Sequence, residues 1–486
     1  MFTLPLDTLF VFAASTPIIG WILRKGGAEK LCGVYAIIGL LTSGSMVYNL
    51  FLEASKRPVT TSVCDEVYAS CLRVDTLSVF MASTFIGIGL LAAVYSIKYM
   101  EGEKGIPLYY TLLLSMVGGM VGVAFAGDFF TLFVFWELMC VSSYVLVAFR
   151  KRRWESVEAG LKYLLMSAAG SASLLFGLSL IYGLAGTLNF HSLASIFKGV
   201  KPNIWLGMAS LFLFAGFGVK AAVVPLHTWL PDAYSAAPAP ISAILSAVVT
   251  ETGVYALCRV FFTVFQPLQV QWSMVLAVLS LVTMTFGNIT ALLQNDLKRL
   301  LAYSSIGHIG YMLVGLAVGT QIGLTGTALH IFNHALMKGA CFLCVGAFVY
   351  RVGVRRLDEI AGIGRRMPFT TIALCVSLFA LTGMPPLNGF ISELTLFMSS
   401  VEAGMTWLGV AIIVNSLFSS GYVLRVVKAL LQRREAEGFE NVKEAPLLML
   451  TPILVMVFMI VLFGVWPDPV LEFARKAAYA LLSMGS

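Results

Sequence analysis

Residues 211–232 read LFLFAGFGVKAAVVPLHTWLPD. The apolar run carries a lysine, Lys220, and five residues later a proline, Pro225. Proline removes a backbone donor and clashes with the preceding turn, so one regular helix does not pass through it. A second run, 374–397, reads LCVSLFALTGMPPLNGFISELTLF; Gly383, Pro385 and Pro386 fall inside it and Glu393 stands just beyond. In a bilayer, such breaks survive only where protein or water satisfies the freed backbone groups. Both stretches therefore predict membrane helices interrupted within a bundle, each with a charge beside the interruption.

The rest of the chain fits that reading. Of its 486 residues, 59% are hydrophobic and 12% charged, about half the charged share of a soluble domain. Apolar runs of about 20 residues recur from end to end, each long enough to cross a hydrocarbon core roughly 30 Å thick. We read an all-α polytopic membrane protein with about 14 transmembrane helices. They fall near 2–23, 32–52, 75–97, 106–126, 129–149, 160–184, 203–224, 239–264, 273–293, 301–319, 323–349, 370–400, 406–430 and 445–465. The first run lacks a basic start and a small-residue cleavage site, so it reads as a span and not a signal peptide.

The net charge of +7 is a matter of sidedness. Lys and Arg gather in alternate loops: Arg24, Lys25 and Lys30; Lys98 and Lys104; Arg150 to Arg153; Lys298 and Arg299; Arg351, Arg355, Arg356, Arg365 and Arg366; Arg433, Arg434 and Lys443. The positive-inside rule then predicts an even number of spans in the cell (inner, cytoplasmic) membrane, with both termini outside. A nucleic-acid partner would need a basic soluble surface, which the sequence does not offer. The eight cysteines make no metal framework. Cys341 and Cys344 form a CxxC inside an apolar helix and read as small buried hydrophobes. Cys64 and Cys71 share one outside loop, where a local disulfide and two free thiols are both open.

The two broken spans are the seventh and the twelfth. Five is an odd separation, so they run in opposite directions, and paired interruptions of that kind mark an inverted repeat. The expected division is an N-terminal three-helix segment (1–105), a first five-helix repeat (106–264, helices 4–8), a second (265–430, helices 9–13), and helix 14 with a short tail (431–486).

A charged residue at mid-helix costs about 2.5–3.5 kcal/mol on insertion scales and usually lines a pathway or pairs with another charge. Seven residues qualify: Glu137, Lys220, Glu251, His330, His334, Lys338 and Glu393. Glu137 and Lys220 are the natural pair. A carboxylate within about 4–6 Å would hold the lysine charged, and its withdrawal would release the proton; a static salt bridge is the plainer alternative. His330, His334 and Lys338, in HIFNHALMKGA, are spaced by four along one helix face, about 6 Å apart, a gap that one water can bridge. Metal ligation would need a carboxylate or Cys on that face, and there is none; backbone-satisfied core histidines are the other alternative. Glu393, beyond the second break, is read as the exit group. Lys162 either snorkels to the interface or modulates Lys220, and His227, beside Pro225, is accessory. Asp75 and Asp128 read as structural, Lys298 and Arg299 as loop anchors.

These stretches carry a resemblance. FWELM around Glu137, GFGVKAAVVPLHTWLPDAYSAAPAPISA, QNDLKRLLAYSSIGHIGYM, HIFNHALMKGACFL and GMPPLNGFISE resemble the antiporter-like subunits: the M-, N- and L-type proton-channel subunits of respiratory complex I, the D and A subunits of Mrp-type sodium/proton antiporters, and the large membrane subunits of membrane-bound hydrogenases. The likeness covers nearly the whole chain. It implies 14 helices with inverted five-helix repeats, a half-channel through Glu137 and Lys220, a central polar axis continued by His330, His334 and Lys338, and Glu393 in the terminal charge position. The short tail after span 14 lacks the lateral helix of the L type, and the chain looks closer to the M or D type. Glu251 is a departure, since M and D types usually carry lysine there; Glu393 stands where D types usually carry lysine.

The expected function is a proton-translocating subunit of a redox-driven complex, complex I-like or hydrogenase/ferredoxin-linked. The chain has no redox active site, no catalytic residues, no metal site and no cofactor of its own; redox cofactors are expected on partner subunits, in a peripheral arm docked on other membrane subunits. The alternative is a D-type subunit of a multisubunit Na+/H+ antiporter without redox partners, with Glu251 and Glu393 in a sodium site. A scaffold that conducts nothing is the third reading.

Overall fold

The computed structural model describes residues 3–26, 28–56, 60–65, 70–432 and 439–483; the side chains of 54–56, 60–65 and 70 are outside the description. Arg433 and Arg434, used above to orient the chain, also lie outside the described residues.

The first helices are α1 (Leu4–Lys25) and α2 (Leu31–Lys56), followed by a hairpin of β1 (Thr60–Asp65) and β2 (Ser70–Asp75). Then come α3 (Thr76–Tyr99), α4 (Ile106–Phe125), α5 (Phe129–Val147), α6 (Trp154–Ala185), a short α7 (Phe190–Phe197) and α8 (Ile204–Ala221). Past the first break lie α9 (Leu230–Ala236), α10 (Ala239–Ile244) and α11 (Thr250–Thr263), the last two joined by a π-helical turn, Leu245–Val249. The series closes with α12 (Gln269–Leu292), α13 (Leu297–Val318), α14 (Gln321–Val352), α15 (Pro368–Leu381), α16 (Asn388–Glu402), α17 (Thr406–Leu430), α18 (Leu447–Val465) and α19 (Asp468–Ser483).

Among the described residues, 13 helices are long and apolar enough to cross a membrane. The remaining expected span is the interrupted one, α15 and α16, whose 14 and 15 residues are each too short alone. The chain is a multi-pass membrane protein.

Helix starts follow from capping. Asp75 Oδ1 accepts from Ser78 N at 2.8 Å, Asp128 Oδ1 from Thr131 N at 2.7 Å, and Asp296 Oδ1 from Arg299 N at 3.0 Å. Each satisfies a donor that a helix N-terminus leaves unpaired. Asp128 and Asp296 have a further part in common. Each makes an isolated bridge to the loop that follows the next helix but one, Asp128 to Asn189 and Asp296 to Arg356.

Both predicted breaks are present, at Pro225 and at Pro385–Pro386. α8 stops one residue past Lys220, and the next residue, Ala222, enters the left-handed region at φ 55°. Trp229 Nε1 donates to the freed Val219 carbonyl at 2.7 Å, and Val224 N donates to Thr283 Oγ1 at 3.2 Å. At the second break Gly383 takes φ +68°. Asn333 Nδ2 on α14 donates to the Asn388 carbonyl at 2.8 Å, and Asn388 Nδ2 donates back to Asn333 Oδ1 at 3.1 Å. Protein groups, from neighbouring helices or from the broken segment itself, thus bond to backbone around both breaks, the kind of support a bilayer demands.

Helix boundaries recur along the chain. Trp154–Ala185 and Gln321–Val352 are both 32 residues long; Ala239–Thr263 and Thr406–Leu430 are both 25. The shift is about 167 residues. Close approaches recur at nearly the same interval: a Cβ on Gly119 would crowd Met139, and one on Gly287 would crowd Gly307.

Three elements were not expected. The hairpin pairs Cys64 with Cys71 in register; Cys71 is disulfide-bonded, while the Cys64 side chain lies outside the described residues. α7 is a short helix lying between α6 and α8. α19 buries Val470, Phe473, Ala474, Ala477, Ala478 and Leu481, the i, i+3, i+4 stripe of an amphipathic helix, against α3 and α14.

Candidate functional site

Lys220 ends up in the last turn of α8, beside the carbonyls that a helix C-terminus leaves free and where a cation is favoured. Its side chain is 2% exposed. Nζ donates to the Tyr163 hydroxyl at 2.6 Å and lies 3.4 Å from both Cys140 Sγ and Ser143 Oγ. Tyr163 is fixed by stacking on Trp229, with ring centroids 4.1 Å apart and planes 5° apart.

The expected Glu137–Lys220 contact is absent. Glu137 is half-buried on α5 and accepts from Ser171 Oγ of α6. Cys140, one turn along α5, occupies the place beside the amine. The physical reason is position along the helix: Glu137 and Cys140 share a face one turn apart, and the Lys220 amine sits level with the thiol.

The central group is tighter. Glu251 on α11 and His334 on α14 are each 0% exposed, with Glu251 Oε1 2.6 Å from His334 Nδ1. The Thr250 hydroxyl donates to Glu251 Oε2 at 3.0 Å. His330 Nδ1 lies 3.0 Å from Ser392 Oγ. Lys338 Nζ donates to the Leu301 carbonyl of α13 at 3.1 Å.

A third imidazole lies beside both His334 and His330. His308, on α13, places Nδ1 3.1 Å from His330 Nε2, and its ring centroid is 5.0 Å from that of His334. His308 Nε2 and His334 Nε2 are both buried without a hydrogen-bond partner. Sequence reasoning missed His308. The signal was available, since it is an imidazole inside an apolar run of a stretch already singled out, but it has no second histidine at helical spacing on its own helix.

Glu393, 6% exposed, follows Ser392 on α16. Its Oε2 accepts from Ser416 Oγ of α17 at 2.8 Å, and Oε1 is buried without a partner. The line Glu251–His334–His308–His330–Ser392, with Glu393 next in chain, crosses four helices.

The remaining predicted residues are peripheral. Lys162 neither snorkels alone nor touches Lys220. It is half-exposed and paired with Glu158 at 2.8 Å and Asp232 at 3.0 Å. Arg299 NH1 reaches the same Asp232 at 2.8 Å. His227 packs against Phe286, centroids 4.7 Å apart, with Nδ1 unpartnered. Lys298 anchors a loop as expected, but from inside: it is 4% exposed, and Nζ donates to the Ala237 carbonyl at 2.7 Å. Asp75 and Asp128 are structural in the expected sense, as helix caps. Asp75 also pairs with Arg259, which the sequence reading passed over.

Comparison with known proteins agrees with this geometry. Residues 126–419 match the family described as NADH:quinone oxidoreductase/Mrp antiporter, transmembrane. Residues 69–110 match the family described as NADH-ubiquinone oxidoreductase (complex I), chain 5 N-terminus. The chain is 35% identical to F(420)H(2) dehydrogenase subunit N of Methanosarcina mazei over 464 residues, covering 92% of this chain and 93% of the relative. It is 33% identical to NADH-quinone oxidoreductase subunit N of Desulforamulus reducens, covering 98% and 97%. These relatives carry the N designation, against the expected M- or D-type likeness.

Among solved structures, a chain of an archaeal respiratory membrane complex, the membrane-bound sulfane sulfur reductase, superposes with a TM-score of 0.91 at 27% identity, covering 99% of this chain and 97% of that one. A chain of respiratory complex I from Thermus thermophilus gives 0.79 at 25%, covering 96% and 98%. A chain of the Mrp complex from Dietzia sp. gives 0.87 at 24%, covering 99% and 98%, a likeness of fold alone. With the family match spanning more than half its length and relatives above 30% identity along almost all of it, the chain belongs to the NADH:quinone oxidoreductase/Mrp antiporter transmembrane family.

Proposed function

We propose that this chain is the proton-translocating, antiporter-like membrane subunit of a redox-driven complex. Its redox cofactors reside on partner subunits in a peripheral arm, and both of its termini face the outside of the cytoplasmic membrane. One observation carries the reading: the buried line from Glu251 through His334, His308 and His330 to Ser392, with distances of 2.6, 3.1 and 3.0 Å at its polar contacts. Histidine is the side chain whose ordinary titration lies nearest neutrality, and its two ring nitrogens can take a proton on one side and give it on the other. Three of them between two carboxylates form a relay of groups that each accept and donate.

In this reading Lys220 is the switchable cation and Glu137 its remote bias. Partner chemistry shifts Glu137, the change passes along α5 to Cys140 and Tyr163, and Lys220 loads the line at Glu251. Glu251, in place of the usual lysine, makes the middle of the line an acceptor. Glu393 releases the proton. Moving one charge against 100 mV requires about 2.3 kcal/mol, which the chain's own residues do not supply, so the driving reaction lies with the partners.

We also read 106–264 and 265–430 as two repeats of opposite orientation, supported by the recurring helix boundaries, the paired aspartate bridges and the two breaks. Sodium/proton exchange has behind it the shared family description and a fold-level likeness to the Mrp complex.

The test is Glu251→Gln in membrane vesicles holding the whole complex, with redox turnover and proton uptake read together. Proton uptake per turnover should fall about tenfold or more. Unchanged uptake in an assembled variant would defeat the relay.

A further inference from the structure

Resting on the proposed proton line, we infer that Asp75 and Arg259 are positioning residues that seal the line from the face of the bundle carrying the hairpin, so that protons reaching Glu251 cannot escape along α11.

On α11, Glu251, Tyr255 and Arg259 follow one another at intervals of four, about 6 Å per step. Left open, that polar column would lead from the relay toward the hairpin. Two things close it. The first is a void of about 10 Å³ beside Tyr255, lined by Leu77 and Met81 of α3, Leu324 and Ile331 of α14, and Ala478 and Leu481 of α19. That is at the lower limit for one water, and a water would also need several polar partners. The hydroxyls at its edge are turned elsewhere: Tyr255 donates to the Ala124 carbonyl at 2.8 Å and Thr327 to the Met312 carbonyl at 2.9 Å. The void is therefore dry, and α19 forms part of its wall.

The second is the ion pair beyond it. Arg259 is 3% exposed and Asp75 2%. NH1 donates to Asp75 Oδ2 at 2.5 Å and NH2 to Oδ1 at 2.8 Å, a two-point fork that fixes both partners. NH2 also donates to Ser78 Oγ at 3.0 Å, and Nε to the Tyr255 hydroxyl at 3.1 Å. Asp75 is at once the cap of α3 and the end of β2, so one carboxylate ties α11, α3 and the hairpin together. A paired charge asks for no water. With one partner removed, the other is a buried charge without compensation and draws water toward Tyr255. Arg73 adds a second cation near the same carboxylate, which sharpens the effect of losing Asp75.

Full-length protein in liposomes with an internal pH dye, under a potassium diffusion potential, tests the seal. Asp75→Asn should raise passive proton entry about fivefold or more over wild type at equal incorporation. Asp75→Asn with Arg259→Gln, made in an Arg73→Gln background so that no cation is left behind, should return the leak to near wild type, which a merely loosened packing would not do. Leu324→Ser leaves the ion pair whole and wets the void; it should also leak, and it carries the test where Asp75→Asn fails to accumulate. Adding Glu251→Gln to a leaking variant separates the two readings. Loss of the leak supports both the seal and the line behind it; a leak that persists supports the seal and counts against the line. The seal is overturned if neither Asp75→Asn nor Leu324→Ser leaks, or if the variant lacking all three charges leaks like the single one.

Discussion

Read as the two repeats proposed above, residues 106–264 and 265–430 put different chemistry at corresponding positions. With α6 and α14 aligned end to end, Tyr163 stands where His330 stands, Ser167 where His334 stands and Ser171 where Lys338 stands. With the capping aspartates Asp128 and Asp296 aligned, Cys140 stands where His308 stands. The first stretch surrounds one cation with a phenol, a thiol and a hydroxyl. The second sets imidazoles in a row. The breaks diverge in the same way. Asp232 and Glu393 each stand seven residues past the matching proline, Pro225 or Pro386. Asp232 is partly exposed and held by Lys162 and Arg299, whereas Glu393 is buried with one oxygen unpartnered. The same positions thus hold a ring of uncharged polar groups around one amine in the first stretch and a row of imidazoles in the second.

The matched carboxylates give the sharpest way to break this contrast. Glu393→Gln should lower redox-driven proton uptake about tenfold, while Asp232→Asn, which loosens half-exposed ion pairs each contributing under about 1 kcal/mol, should change it less than about twofold. Equal losses in vesicle assays would erase the difference between the stretches. Next in size is Tyr163→Phe. It removes the closest hydrogen bond to a buried ammonium, an effect of about 1–3 kcal/mol. Uptake should fall several-fold, with thermal stability in detergent reduced; if neither changes, Lys220 does not depend on its phenol.

The smallest effect lies outside both stretches and serves as a control. Lys30, then Lys98, hold the Glu101 carboxyl down from 4.5 to about 2 by hydrogen bonding. Because the folded value is depressed, this contribution is present above pH 4.5 and is lost as pH falls toward 2. The melting difference between wild type and Glu101→Gln should be small at pH 7 and should shrink further on acidification.

The sequence reached the fold through two prolines and the alternation of basic loops, because a bilayer forbids most alternatives. Of the five titratable groups on the proposed line it named four, Glu251, His330, His334 and Glu393, and missed His308. What escaped it depended on how the helices meet. Which of Glu137 and Cys140 meets Lys220 is set by the height along α5 at which the α8 amine arrives. The imidazole beside both His330 and His334 comes from α13, where His308 has no companion of its own. Arg259 and Asp75 are 184 residues apart, and nothing local in either stretch points to the other. The hairpin and α19 were read as loop and tail, since strand pairing and surface docking are contacts with the rest of the molecule.

The wide turn at Leu245–Val249 bears on that last point. A π turn adds a residue without adding a rung to the ladder, so every side chain after it is rotated by roughly 100° from where a regular wheel would draw it. Glu251, Tyr255 and Arg259 owe their common heading to five small or aliphatic residues that carry no charge. Trimming one of those five would swing all three away from α14 and α3 while leaving the list of ionisable groups intact.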